Sequence, residues 1–233
     1  MSLVLRPAAA RGHANHGWLD SRHTFSFADY FDPAQMGFRA LRVINDDIVR
    51  PGTGFGMHGH RDMEIVSYVV AGELTHTDTT GSTGVLRRGD VQYMNAGTGI
   101  RHSEVNASVS EDVRLLQIWI LPPRPGLPPS YRQETVSDAD KHNGLALIAG
   151  PEGSGAALVT YRDVRVYAAL LEAGRALTHP LNPGRGVWIQ VVDGHLAVNG
   201  VALESGDGAA IESEETIRIT APDRAEFLLF DLD

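Results

Sequence analysis

Apolar residues in this chain come in short runs rather than at helical spacing. Glu64–Leu74 (EIVSYVVAGEL), Val113–Leu121 (VRLLQIWIL), Gly186–Gly200 (GVWIQVVDGHLAVNG) and Ala225–Asp233 (AEFLLFDLD) are rich in valine, isoleucine and aromatic residues, and glycine, aspartate and proline separate them. That is the punctuation of strands and turns. Few windows sustain the period of an amphipathic helix, so the pattern predicts an all-β protein, sandwich or barrel.

Two matches, in the same order, relate the halves of the chain. Val69-Val70-Ala71-Gly72-Glu73-Leu74 echoes Val191-Val192-Asp193-Gly194-His195-Leu196, and Leu86-x-x-Gly89-Asp90 echoes Leu203-x-x-Gly206-Asp207. Each reads as a hairpin glycine followed by a Gly-Asp turn, which predicts a duplicated β unit. Between the halves, Leu121–Glu134 (LPPRPGLPPSYRQE) holds five prolines. Such a run disfavours any ladder or helix and suits an extended connector. The expected organisation is an N-terminal domain over 1–120, a proline-rich linker over 121–135 and a C-terminal domain over 136–233.

At 233 residues the chain can bury a core without cross-links. It contains no cysteine, which removes thiolate ligands, iron-sulfur clusters and cysteine nucleophiles and restricts any metal site to nitrogen and oxygen. The net charge of −9 argues against general nucleic-acid binding, which needs a basic stripe. No run approaches the ~20 apolar residues of a membrane span, and the opening segment lacks a secretory apolar region; a cytoplasmic protein is expected. The single lysine, Lys141, lies in SDADKHNG, a composition expected of an exposed loop, which leaves Schiff-base chemistry almost no place.

The chemistry concentrates in GFGMHGHRDME, Gly54–Glu64, and GIRHSEV, Gly99–Val105. Side chains at i and i+2 share one face of a strand, so His58 and His60 point the same way, as do His102 and Glu104. Two such pairs on neighbouring strands would bring three imidazoles and one carboxylate to a single ion, a set suited to a first-row divalent metal with positions left open. A lone histidine is more often a hydrogen-bonded structural residue; the paired spacing favours a metal. Glu64 has the same parity as His58 and His60, so parity alone leaves the choice of carboxylate open.

The run G-x5-H-x-H-x3-E from Gly52 to Glu64, together with GDVQYMNAGTGIRHSEVN from Gly89 to Asn106, resembles the two cupin motifs in their pirin form. HGWLDSRHTFSFADYFDP and GFRALRVINDD also resemble bacterial pirin-like proteins, particularly the branch assigned quercetin 2,3-dioxygenase activity. The resemblance spans nearly the whole chain. It implies a bicupin of two jelly-roll-type barrels in tandem, one metal in the N-terminal barrel, and ring-opening dioxygenation of a flavonol with O2. It selects Glu104 as the ligand beside His58, His60 and His102, with Fe(II) the first choice of metal and Mn, Ni, Co or Cu the alternatives. Glu104 is then the candidate base for the flavonol 3-hydroxyl, and Glu64 a supporting group that orients an imidazole N–H and stands in reserve as base. The eukaryotic members suggest a different reading of the same site, a non-catalytic metal-binding module recognised by a protein partner.

Counting back from Gly194 by the offsets that separate His58 and His60 from Gly72 gives Pro180 and Asn182, so the C-terminal domain is expected to be metal-free, and the adjacent His179 a loop residue. Gly54–Gly59 is formally G-x-G-x-x-G, but no helix pattern follows, so a dinucleotide site is not expected. His13, His16 and His23 fit neither a strand pair nor one helix face and read as structural. Phe25, Phe27, Tyr30, Phe31 and Phe38 read as core cover rather than a stacking platform.

Overall fold

The computed structural model describes residues 2–233. Each half of the chain builds one seven-stranded and one four-stranded sheet. In the first half the larger sheet runs Ser130–Thr135, Asp90–Asn95, Glu64–Ala71, Val113–Ile120, Leu41–Val49, Leu19–His23, Gly12–Asn15, and the smaller runs Gly54–His60, Ile100–Val105, Glu73–Asp78, Thr83–Arg87. In the second half the larger sheet runs Ser2–Arg6, Gly208–Glu212, Gly186–Asp193, Ala225–Leu232, Val164–Leu171, Ala146–Pro151, Leu158–Thr160, and the smaller runs Ala176–Pro180, Thr216–Thr220, His195–Val198, Val201–Glu204.

The two orders correspond through the small sheets and the central strands of the large ones, as the repeated hairpin signal predicts, and differ at one edge, where Leu158–Thr160 joins Ala146–Pro151 in parallel but Gly12–Asn15 joins Leu19–His23 antiparallel. Gly72 and Gly194 turn the chain from the larger sheet into the smaller one in each half, with φ of 75° and 79°. A Cβ at Gly72 would lie 2.4 Å from Asp112 O and one at Gly194 2.1 Å from Arg224 O, so both conformation and space require glycine there.

The expected boundaries meet two exchanges at the sheet edges. The linker was expected to carry no ladder, yet Ser130–Thr135 pairs with Asp90–Asn95. The reason is local: the last proline is Pro129, and the six residues beyond it all have N–H donors. Conversely, the first strand, Ser2–Arg6, pairs with Gly208–Glu212 in the second half rather than with the first.

Strand alternation sorts the apolar residues into separate compartments. Leu19, Val49, Val69, Leu74, Leu86, Val113 and Leu115 form one buried cluster within the first barrel, with Trp18 and Phe55 packed against it. Ile44, Val66, Tyr68, Tyr93, Leu116 and Ile118, on the opposite face of the same sheet, pack against Val166, Trp188, Leu228 and Phe230 of the second. The two large sheets therefore share one apolar core. Phe25 and Phe38 belong to it, their rings tilted against Trp188 with centroids 4.8 Å and 5.9 Å away; Phe31 is exposed.

Lys141 corrects the expectation of an exposed loop. Ser137 caps a single helical turn, Asp138–Lys141, through a capping box with Asp140. That turn buries Lys141 completely, with Nζ donating to Tyr68 Oη across 3.0 Å and pairing with Asp138 at 3.0 Å and Glu226 at 3.7 Å. Its charge is matched within the junction between the halves, as a buried ammonium requires.

Candidate metal centre

His58 and His60 lie on the strand Gly54–His60, which pairs with Ile100–Val105 so that His58 opposes His102. A Cβ at Gly54 would meet Glu104 O at 2.3 Å, so glycine lets the two strands approach closely enough to bring these histidines together. Along Ile100–Val105, Ile100, His102 and Glu104 are buried while Arg101 is exposed, which is the alternation the spacing predicts.

Three imidazole nitrogens converge. His58 Nε2 lies 2.9 Å from His60 Nε2 and 3.1 Å from His102 Nε2. His58 Nδ1 sits 2.8 Å from Gly56 O; a carbonyl only accepts, so Nδ1 carries the proton and Nε2 presents a lone pair to the other two rings. One lone pair does not satisfy two N–H donors well. A shared cation does: bonds of roughly 2.1 Å meeting near a right angle put two nitrogens roughly 3 Å apart. Burial, reinforced by the neighbouring imidazoles, pushes the His60 pKa down to about 4 and the His102 pKa down to about 3, so both rings are neutral and able to bind a metal at physiological pH. His102 Nδ1 is buried without a hydrogen-bond partner. These observations fit a divalent ion held by nitrogen.

Glu104 is buried beside this cluster but is not part of the same close group. Its carboxylate comes together with His76 and His102, whereas His58, His60 and His102 form the other group of possible ligands among the described residues. His102 is common to both. Glu104 spans the barrel: Oε1 accepts from Gln92 Nε2 at 2.9 Å, and Oε2 accepts from Gln117 Nε2 at 2.7 Å, while Gln117 Oε1 accepts the Ser67 hydroxyl at 2.7 Å.

Glu64 does not support an imidazole. Its Oε2 accepts from Tyr93 Oη at 2.7 Å and the Tyr161 N–H at 2.8 Å, and its Oε1 from the Arg162 N–H at 2.9 Å. It thus ties the first large sheet to the second half of the chain. The expectation failed because the chain turns at Arg61–Met63 and Glu64 begins a strand in the other sheet. Parity does not carry across such a break, and Glu64 falls on the face of Val66 and Tyr68, away from the barrel interior.

His76 was missed by the sequence reading. It opposes Glu104 in the sheet, stacks on Tyr131 with ring centroids 4.4 Å apart, and bonds Asp78 Oδ2 through Nε2 at 3.0 Å. Its signal was a third i, i+2 pair, His76-x-Asp78.

The cluster stands at the wall of a cavity of about 700 Å³, within the range of small-molecule sites. Trp18, Phe27, Tyr30, Phe55 and Trp119 supply apolar walls, and His13, His16 and His23 also line it. The three N-terminal histidines are therefore cavity residues rather than purely structural ones, and Phe27 and Tyr30 face the cavity rather than the core. Trp119 holds His60 edge-on at 4.9 Å.

The second barrel carries different chemistry at the equivalent positions. His179 opposes Ile217 as His58 opposes His102, so register, unlike counting, makes His179 the counterpart of His58. It is a buried strand residue bonded to Asp231 Oδ2 at 3.0 Å, not a loop histidine. Leu181, Ile217 and Ile219 take the places of His60, His102 and Glu104 and belong to the apolar interior.

Residues 4–120 match the model of the Pirin family. The chain belongs to the pirin family of cupins. Residues 147–232 of this pirin match the quercetinase C-terminal cupin domain, which makes it a bicupin. It is 47% identical over 230 residues to the quercetin 2,3-dioxygenase of Escherichia coli (strain K12), covering 99% of this chain and 98% of that one, and 43% identical over 227 residues to a pirin-like protein of Caulobacter vibrioides, covering 97% of each. The crystal structure of the E. coli bacterial pirin YhhW in complex with nickel(II) superimposes with a TM-score of 0.94 at 47% identity, covering 99% of each chain. A quercetin 2,3-dioxygenase from Acinetobacter baumannii, at 23% identity and TM-score 0.81 over 100% of this chain and 86% of that one, shares the fold. Among the described residues, no helix is long and apolar enough to cross a membrane.

Proposed function

We propose that this pirin is a metal-dependent dioxygenase that opens the heterocyclic ring of a flavonol such as quercetin, with His58, His60, His102 and Glu104 holding one divalent ion, Fe(II) as the native metal. The observation that carries the reading is the convergence of three imidazole nitrogens beside a buried carboxylate, at the wall of an aromatic-lined cavity of about 700 Å³. When bound, the ion supplies a Lewis-acidic and redox-active centre at which the flavonol 3-hydroxyl and O2 meet.

The chain's own residues do the rest. Gly56 O fixes the tautomer of His58 and Trp119 backs His60, so the imidazoles are set in place before a ligand arrives. Gln92 and Gln117 hold the Glu104 carboxylate in one orientation by donating to both of its oxygens, and Ser67 fixes the two amides by accepting from Gln92 and donating to Gln117 Oε1. Glu104 is then placed to take the proton of the substrate hydroxyl. Trp18, Phe27, Tyr30 and Phe55 offer flat apolar surface that seats a planar ring system and excludes water from it.

Reconstituted protein turned over with quercetin under ¹⁸O2 tests the reading. Both labelled atoms should appear in the ring-opened product by mass spectrometry. Consumption of quercetin without incorporation of label, or none at all with metal restored, would refute it.

A further inference from the structure

Glu104 is held by one end of a longer feature. Reading across the first large sheet by register, Gln92 opposes Ser67, Ser67 opposes Gln117, Gln117 opposes Asn45, and Asn45 opposes His23. Five neighbouring strands thus place a continuous polar row in the barrel, all of it buried. The corresponding row of the second barrel, Ala209, Ile189, Leu229, Tyr167 and Leu147, has no polar side chain except the tyrosine. A β barrel of this design is filled by apolar residues when nothing else is required of it, so the polar row has a purpose beyond folding.

Its first three members are explained by Glu104: Gln92 and Gln117 donate to its two oxygens, and Ser67 bridges them by accepting from Gln92 and donating to Gln117 Oε1. The other two are not. His23 and Asn45, with Asp47 two residues further along the same face, line the cavity, and each is only 3% exposed. Each also keeps a buried polar atom with no hydrogen-bond partner: His23 Nδ1, Asn45 Oδ1 and Asp47 Oδ1. Unpartnered polar atoms are costly when buried, and three together at the wall of one cavity mark a surface whose partners come from a ligand.

We propose that His23, Asn45 and Asp47 form a hydroxyl-recognition subsite, which binds the hydroxyl groups on the part of a planar aromatic substrate not held at the histidine cluster. The chemistry of the wall selects that class of ligand. No lysine or arginine lines the cavity among the described residues, so a second anionic group would find no counter-charge. Burial holds the His23 pKa below its ordinary value and pushes Asp47 up to about 7. The wall therefore offers mixed donors and acceptors with no fixed cation among them, which complements neutral hydroxyls that both donate and accept. The proposal rests on the flavonol reading above and adds which end of the substrate is read, and by which residues.

The test uses full-length, metal-loaded protein under anaerobic conditions and compares binding of quercetin with that of 3-hydroxyflavone, which keeps the 3-hydroxyl and lacks the others. Calorimetry should show the parent preferring quercetin by about tenfold or more, the yield of one or two additional hydrogen bonds. Asn45→Leu, near in size but without the amide, should reduce that preference to within about threefold at unchanged metal content and circular dichroism. Asn45→Ala makes the same deletion without branching, should leucine not fit the site. A parent with no preference, or a variant that keeps the full preference, overturns the subsite while leaving the functional reading intact. A parent that binds neither flavonol refutes the functional reading, and the subsite falls with it.

Discussion

Gln117 Nε2, on the large sheet of the first barrel, donates to Glu104 Oε2 on the facing sheet across 2.7 Å. Gln117→Leu removes this clamp and leaves Glu104 to Gln92. Metal affinity and quercetin turnover should fall about 10–100-fold, as is typical when a group orienting a ligand is lost. Chelator competition and steady-state kinetics measure the two; unchanged values in both would show that the carboxylate needs no such support.

Glu64 offers the opposite case, a carboxylate whose work lies at the junction between the halves. Glu64→Leu strips the acceptor from Tyr93 Oη and from the Tyr161 and Arg162 N–H groups. Stability should drop by about 3 kcal/mol, read from urea denaturation, while the folded protein keeps its metal. Loss of metal at an unchanged denaturation midpoint would return Glu64 to the metal site.

Lys141 is fully buried and linked to Tyr68, Asp138 and Glu226. Lys141→Met keeps the length of the stem and deletes the charge. Arg88 still pairs with Glu226 at 2.9 Å, so the cost should sit at about 3 kcal/mol, the lower end for a broken buried pair. Equilibrium denaturation reports it, and a neutral result would mean the network contributes nothing to holding the halves together.

Asp47 makes stability depend on pH. Burial, aided by the charges of Asp46 and Glu104, pushes its carboxyl up to about 7 from an ordinary value of 3.8. Below that ordinary value the group is protonated in both folded and unfolded chains, and its contribution is fully present. As pH rises toward about 7 the unfolded chain ionises first, so stability falls, by up to about 4 kcal/mol, and then levels. Asp47→Asn should flatten that decline. Denaturation midpoints of metal-stripped parent and variant at about pH 5 and pH 8 give the comparison, and equal pH slopes would show that Asp47 ionises normally.

Much of this was legible in the chain because it is local. The hairpin glycines Gly72 and Gly194 and the alternating His58-x-His60 and His102-x-Glu104 express strand geometry within a few residues, and the duplicated barrel followed from the first pair. Features set by long-range pairing were hidden. The polar row from Gln92 to His23 exists only in the register of five strands scattered over the first half of the sequence. Glu64 was misplaced because a three-residue turn resets which face a strand presents. Lys141 sits in a polar segment that one capped helical turn folds inward, and the first strand crosses to the second barrel, a pairing that no neighbouring residue announces.

The assignment of the metal site is tested most directly by elemental analysis combined with quercetin turnover under air, for the parent and Glu104→Gln side by side. The parent should carry about one divalent ion per chain and turn over quercetin. Glu104→Gln, which exchanges an anionic oxygen for a neutral amide and removes the proton acceptor, should fold normally by circular dichroism and lose metal and activity together. A Glu104→Gln protein that keeps both its ion and its turnover would contradict the site.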